Sequence, residues 1–261
     1  MFAANSQIIC TIFGVEIYFY GVILALAIIV GTFVSEYIGR NYFELKKDTI
    51  IDLSPYLIIF GIIGARLYYC ALNYDFYLRF PTEILAIRHG GISIHGAILG
   101  GLIGLIIFAK RHNLSFSKLC DVSAIGLILA QSIGRWGNFF NSEAFGTPTN
   151  LPWKLFIAEQ YRPIPFTNYE YFHPTILYES VLNLGIFLIL LYLVKTDFSK
   201  RSGNIALAYL LLYSTARIFV EHFRIDSVLY IHGIPIAIIV SICIIFLSAI
   251  MLVKQNFLKR T

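Results

Sequence analysis

Residues 134–146 read Gly-Arg-Trp-Gly-Asn-Phe-Phe-Asn-Ser-Glu-Ala-Phe-Gly and place an arginine, two asparagines and a glutamate at the end of a long apolar run. Arg135, Asn138 and Asn141 are three apart, so on a helix they share one face. Such a face suits an anionic, polyhydroxylated group: the guanidinium fork takes the charge and the carboxamides take the hydroxyls. A second set lies further along, with Arg217 and Glu221 four apart and Arg224 behind them. His95 stands between Gly90-Gly91 and Gly96, where the backbone can approach a ligand or another helix closely. Tyr20, Arg66, His173 and the pair Tyr178-Glu179 are further polar groups in apolar surroundings. An arginine at the bilayer centre costs roughly 2.5–3.5 kcal/mol even on the lenient insertion scale, so such residues point to function.

The elements that must position these groups are membrane helices. The chain has 261 residues, 58% hydrophobic and 13% charged, with a mean hydropathy of +0.75, whereas a soluble domain carries about 25% charged residues. Seven stretches are long and apolar enough to span: 17–35, 50–72, 92–109, 119–139, 175–194, 204–219 and 233–253. The third and fourth are the most diluted, by glycine, Asp121 and Arg135. The expected fold is an all-α integral membrane protein with seven transmembrane helices in one polytopic domain, 1–261. Its one sizeable loop, 142–174, holds five of the eight prolines and is expected to form a small extracytoplasmic cap. The N-terminus lacks a basic region and a small-residue cleavage site, so no cleaved signal peptide is expected.

Charge sets the orientation. Arg40, Lys46, Lys47, Lys110, Arg111, Lys118, Lys195, Lys200, Arg201, Lys254, Lys259 and Arg260 follow spans one, three, five and seven. The opposite side carries Arg79, Arg88, Arg135, Lys154, Arg162 and Arg224. The positive-inside rule then puts the N-terminus outside and the C-terminus in the cytoplasm. The net charge of +5 reflects this topology and gives no sign of nucleic-acid binding. Under that orientation Tyr20, Arg66, His95, the Arg135 set, His173 with Tyr178-Glu179, and the Arg217 set all reach the outer leaflet.

Plainer readings stand beside the functional ones. Arg217 and Glu221 form a self-neutralising i,i+4 pair on their own, Arg66 can snorkel to the headgroups, and His173 before Pro174 can turn the chain. Gly96, Gly100 and Gly104 form a stripe suited to helix packing. Cys10, Cys70, Cys120 and Cys243 have no metal-like spacing. They read as small apolar packing residues, and a Cys10–Cys70 disulfide on the outer side is required by nothing.

The run at 134–146 resembles the signature of the bacterial prolipoprotein diacylglyceryl transferases. So does G-G-I-S-I-H-G at 90–96, which looks like that family's His-Gly-Gly region. Further likenesses are Tyr20-Gly21, G-A-R-L-Y-Y at 64–69, H-P-T-I-L-Y-E at 173–179 and A-R-I-F-V-E-H-F-R at 216–224, in family order across nearly the whole chain. The chain departs at Ala97, where the family has a second glycine, and at Tyr18-Phe19, where it has an Arg or Trp.

The resemblance implies transfer of the diacylglyceryl group of phosphatidylglycerol to the lipobox cysteine of a prolipoprotein in the bacterial cytoplasmic membrane, with glycerol-1-phosphate leaving. A thiol must become a thiolate to attack, and histidine is the natural base near neutral pH. The leaving phosphate develops charge that guanidinium groups stabilise. On this reading His95 is the base, Arg135 holds the lipid phosphate and Arg217 assists. Asn138 and Asn141 bind headgroup hydroxyls, and Glu143 and Glu221 orient the arginines. Tyr20 lines the pocket, Gly146 admits the headgroup, and Arg66 and Arg224 complete the binding set. No metal or organic cofactor is expected. Without the resemblance, the alternative is a transporter using an Arg66, Arg217 and Glu221 relay, although these charges lie near one face and no internal repeat is visible.

Overall fold

A computed structural model describes residues 7–87, 90–226 and 230–256. Arg88, Lys259 and Arg260 of the charge count, and the neighbouring His89, lie outside the described residues. The chain divides into two compact units: 1–34 with 124–261, and 35–123.

The second unit contains α2 (Thr49–Leu72), α3 (Tyr74–Arg79) and α4 (Ile94–Arg111), together with the adjoining end of α1 (Phe19–Tyr42) and the start of α5 (Phe116–Phe140). The glycine stripe is a packing seam, as expected. A Cβ on Gly96 would collide with the Gly64 carbonyl oxygen of α2, and one on Gly100 with that of Phe60. The two backbones touch, so no side chain fits between them. The sequence reading ends the first span at 35, but the helix continues to Tyr42 because Glu36 and Arg40 interrupt hydropathy without interrupting helical structure. Glu36 is buried and accepts from the backbone N–H groups of Asp48 (2.7 Å) and Ile50 (2.9 Å). It thereby satisfies donors at the N-terminus of α2, where Asp48 makes no cap of its own. Pro55 removes a donor inside α2, and the hydroxyl of Ser54 bonds the Ile51 carbonyl instead (2.9 Å). The 73–93 connection carries α3 and a tight 3-10 turn, Pro81–Leu85, so the 142–174 loop is not the sole structured connection.

The first unit opens with a hairpin, β1 (Ile8–Ile12) and β2 (Val15–Tyr18). Its two-residue turn has Phe13 and Gly14 both at positive φ, 50° and 79°, the primed-turn geometry that hairpins favour. The hairpin explains why the first helix begins at Phe19 rather than 17. A matching hairpin, β5 (Tyr230–Ile231) and β6 (Ile234–Pro235), moves the start of the last helix, α8 (Ile236–Asn256), past the expected 233. Between them lie α5, the 142–174 segment, α6 (Thr175–Val194) and α7 (Asn204–Glu221). The 142–174 segment folds on its own core of Phe145, Leu155, Ile157 and Phe172, which packs on Ile176. A short ladder, β3 (Leu155–Phe156) with β4 (Tyr171–Phe172), ties it together.

Among the described residues six helices, α1, α2, α4, α5, α6 and α8, are long and apolar enough to cross a membrane. In α8 the buried residues are Ser241 and Ser248, while Ile242, Phe246, Leu247, Ile250 and Val253 are exposed. That inversion of the soluble pattern is what lipid-facing helices show. The seventh expected span, α7, is 18 residues long but is diluted by Tyr209, Tyr213, Ser214, Thr215, Arg217 and Glu221. It runs back alongside α6, and Asn204 at its start exchanges amide hydrogen bonds with Asn256 of α8 (3.0 and 3.2 Å). The four cysteines are free.

Candidate functional site

The buried stripe of α6 runs through Ile176, Glu179, Ser180, Asn183, Ile186 and Leu190 at helical spacing. Glu179 is therefore carried into the protein beside the end of α5. Two serines fix that contact: Ser132 on α5 and Ser180 on α6 each donate to the other's carbonyl, at 2.8 and 2.9 Å. The indole N–H of Trp136 donates to the Ser180 hydroxyl (3.2 Å). Arg135 and Glu179 stand next to these serines, and their side chains pair directly.

Glu179 is the hub of the site. One carboxylate oxygen, Oε2, meets Arg135; the other, Oε1, accepts from Nη1 of Arg224 at 2.8 Å and of Arg217 at 3.5 Å. Arg217 in turn pairs with Glu221 at 2.7 Å, and Arg224 holds Asp226 through both Nε (2.8 Å) and Nη2 (2.6 Å). Glu179 and Glu221 side chains are only 6% and 1% exposed, whereas Arg135 and Arg217 keep 23% and 21%. Glu179 and Glu221 are thus the supports for the more exposed Arg135 and Arg217, whereas at the third pair Arg224 is the more buried partner and Asp226 the more exposed. Burial on its own would lower the pKa of Arg224, but the carboxylates of Asp226 and Glu179 outweigh it and hold it above the ordinary value.

The helix face expected for Arg135, Asn138 and Asn141 is cut short, because α5 ends at Phe140. Ser142 and Ala144 then take positive φ, 53° and 57°, and the chain doubles back so that the Glu143 N–H bonds the Asn138 carbonyl (3.2 Å). The carboxamides of Asn138 and Asn141 both donate to Oε1 of Glu143, at 2.8 and 3.2 Å. Glu143, expected to orient an arginine, instead holds the two asparagines, and Glu179 takes the place beside Arg135. Tyr20 lies in the first turn of α1 with its ring on Gly137, where a Cβ would come within 2.9 Å. Gly146 was expected to admit the headgroup. It admits protein: a Cβ there would meet the Phe223 carbonyl oxygen at 2.7 Å, the Thr175 side chain at 2.8 Å and His173 at 2.9 Å. Through that gap Gly146 forms a bridge with Arg224, and its N–H bonds the His173 carbonyl (2.9 Å). The signature segment, the turn before α6 and the end of α7 are so joined.

His173 faces Tyr178, whose hydroxyl lies 3.2 Å from Nδ1 and 2.9 Å from the indole nitrogen of Trp153. An indole only donates, so the tyrosine hydroxyl accepts from Trp153, and the imidazole tautomer sets the direction of its bond with His173. Burial lowers the pKa of His173.

In the other unit, His95 is exposed in the first turn of α4, with its ring 6.1 Å from that of Tyr68. Arg66 does not snorkel. It is 5% exposed and donates to the carbonyls of Glu83, Ile84 (2.9 Å), Ala86 (3.4 Å), Gly90 (2.6 Å) and Gly91 (2.7 Å). Gly91 has φ 75°, and a Cβ on it would sit 2.6 Å from Nη1 of Arg66. Ser93, two residues before His95, bonds the Ala65 carbonyl through its N–H (3.1 Å). Arg66 thus clasps the segment that leads into His95.

Tyr178 and Glu179 were singled out as polar residues opening an apolar span but were given no role, and Asp226 and Trp153 were not singled out as site residues. The signal for Glu179 is an acidic residue just inside an apolar span, although its arginine partners are far away in sequence; Asp226 carries no such signal in an ordinary polar turn. Among the described residues no cluster of metal-ligating side chains is present.

The model of the family described as prolipoprotein diacylglyceryl transferase matches residues 7–254. Proteins named phosphatidylglycerol–prolipoprotein diacylglyceryl transferase are similar over nearly the whole chain. That of Synechocystis sp. is 43% identical over 99% of this chain and 92% of its own length. That of Synechococcus elongatus is 44% identical over 100% and 91%, and that of Thermosynechococcus vestitus 44% over 88% and 85%.

Proposed function

The chain belongs to the prolipoprotein diacylglyceryl transferase family, and from that premise we propose that it transfers the diacylglyceryl group of phosphatidylglycerol to the lipobox cysteine of a prolipoprotein. The observation that carries the reading is the set of partly exposed guanidiniums of Arg135 and Arg217 backed by buried carboxylates. Fixed positive charge aimed at a leaving phosphate stabilises the transition state without reorganisation. His95 takes the proton of the lipobox thiol, and the thiolate attacks the glyceryl carbon bearing the phosphate. The carbon–sulfur bond forms as the carbon–oxygen bond breaks, and the electron pair leaves with glycerol-1-phosphate. Arg135 grips the phosphate, with Arg217 and Arg224 beside it. The Asn138, Asn141 and Glu143 trio reads the hydroxyls of the headgroup, and Tyr20 closes the pocket over Gly137. Arg66 acts through the backbone it clasps.

We place the site toward the outer leaflet, with seven spans, the N-terminus outside and the 142–174 cap extracytoplasmic. The basic residues after spans one, three, five and seven support this orientation. In support of α7 as a span, its 18 residues cover about 27 Å at 1.5 Å per residue, close to the ~30 Å hydrocarbon core.

Purified protein in detergent, given phosphatidylglycerol and a lipobox peptide, is expected to form a thioether; absence of product overturns the reading, since a carrier makes none. In the same assay His95→Asn should abolish single-turnover product while leaving lipid binding largely intact, and His173→Asn should cost less. Near-normal turnover in His95→Asn would remove His95 from the mechanism. For topology, cysteines placed at Thr147 and Asn168 in a background free of native cysteines should react with an impermeant thiol reagent in intact cells. Those at Asn113 and Ser199 should react only after lysis, and the reverse pattern would invert the orientation.

A further inference from the structure

Three guanidiniums, of Arg135, Arg217 and Arg224, meet three carboxylates, of Glu179, Glu221 and Asp226. An additional anion entering this cluster would leave it net negative unless a carboxylate withdrew. The three carboxylates are not equally able to do so. Glu179 and Glu221 are held inside the helices at 6% and 1% side-chain exposure, while Asp226 is 42% exposed. Asp226 also sits beyond the end of α7, where its side chain can rehydrate without disturbing a helix.

The geometry of its contact is equally particular. Both carboxylate oxygens engage one edge of Arg224, at Nε and Nη2, while Nη1 is taken by Glu179. A guanidinium edge that accepts a carboxylate fork accepts two oxygens of a phosphate in the same way. The backbone of Arg224 is itself anchored, by its bridge to Gly146 and its N–H bond to the Glu221 carbonyl (3.3 Å). The edge therefore stays in place when its partner changes.

We propose that Asp226 is a displaceable stand-in for the donor phosphate. The phosphate takes the Nε/Nη2 edge of Arg224 as the lipid binds, Asp226 turns to water, and its return helps expel the phosphate monoester product. This rests on the transferase reading for the identity of the ligand. The phosphodiester of the lipid carries one negative charge; the monoester that leaves gains a second as it ionises. The returning carboxylate therefore competes with the product for the same donors and repels it.

The test is Asp226→Asn in the full chain, with Asp226→Ser as a second variant that leaves no amide to bond Arg224. Binding of phosphatidylglycerol in nanodiscs, without acceptor peptide, is expected to tighten roughly tenfold, the effect of removing one competing charge-assisted contact. Inhibition by glycerol-1-phosphate should strengthen by a similar factor, and at saturating lipid kcat should fall as release slows. Arg224→Lys combined with Asp226→Asn should lose the gain, because lysine has no fork. If both Asp226 variants bind lipid and glycerol-1-phosphate no more tightly than the wild type, or more weakly, Asp226 merely props Arg224 and the proposal fails. A wild-type protein that formed no thioether would sink the transferase reading instead, and phosphate binding by the Asp226 variants would still decide the displacement.

Discussion

Replacing Arg135 by lysine is expected to slow thioether formation by about 10²–10³-fold, the loss seen when one fixed donor to a developing oxyanion is removed, and to leave little more activity than alanine does. Arg135 has two obligations: it pairs with Oε2 of Glu179 and keeps 23% of its side chain exposed. A planar fork can meet both, since one nitrogen faces the carboxylate while others face a ligand. An ammonium is a single point charge. Beside a buried carboxylate it settles on Glu179, and the phosphate loses its grip. Single-turnover rates with lipid and peptide both saturating check this, because they separate the chemical step from binding. Recovery of most of the rate in Arg135→Lys would mean that a general positive field suffices.

Glu179→Gln should be at least as damaging, and by another route. The glutamine can still accept hydrogen bonds but no longer supplies the charge that keeps Arg135, Arg217 and Arg224 together. Breaking a buried ion pair by removing one partner costs about 3–5 kcal/mol, and here three guanidiniums would be left with only the carboxylates of Glu221 and Asp226. The expected results are a lower unfolding temperature in detergent and near-complete loss of activity. Glu179→Asp keeps the charge on a shorter arm and should recover stability before it recovers rate. If Glu179→Gln were as stable and as active as the wild type, the hub role would be withdrawn.

Much of this was legible in the residues alone. Fifty-eight per cent apolar residues in span-length runs dictate a membrane protein, because no other environment satisfies that much exposed apolar surface. The stripe of Gly96, Gly100 and Gly104 announced a close helix contact, since without a Cβ a helix can approach another to backbone distance. Arg217 and Glu221 were legible as a pair because four residues on one helix bring side chains together whatever the rest of the fold does. The ends of the first and last spans were less so, because hydropathy blurs a short hairpin of apolar strands into the helix that follows it.

What the tertiary structure decided was the pairing between elements. Asn138 and Asn141 were singled out by spacing, yet a left-handed turn after Phe140 gave them Glu143 as a shared acceptor. Arg66 was visible as an arginine in an apolar span, but the loop that returns over it supplied its carbonyl partners. Glu179, far from Arg135 in sequence, became its counter-ion because the two mutually bonded serines hold α5 and α6 in one rotational register. Local spacing determines which residues of one helix share a face. Which faces then meet depends on the packing of whole helices, where a rotation of one residue, about 100°, would have turned that carboxylate elsewhere.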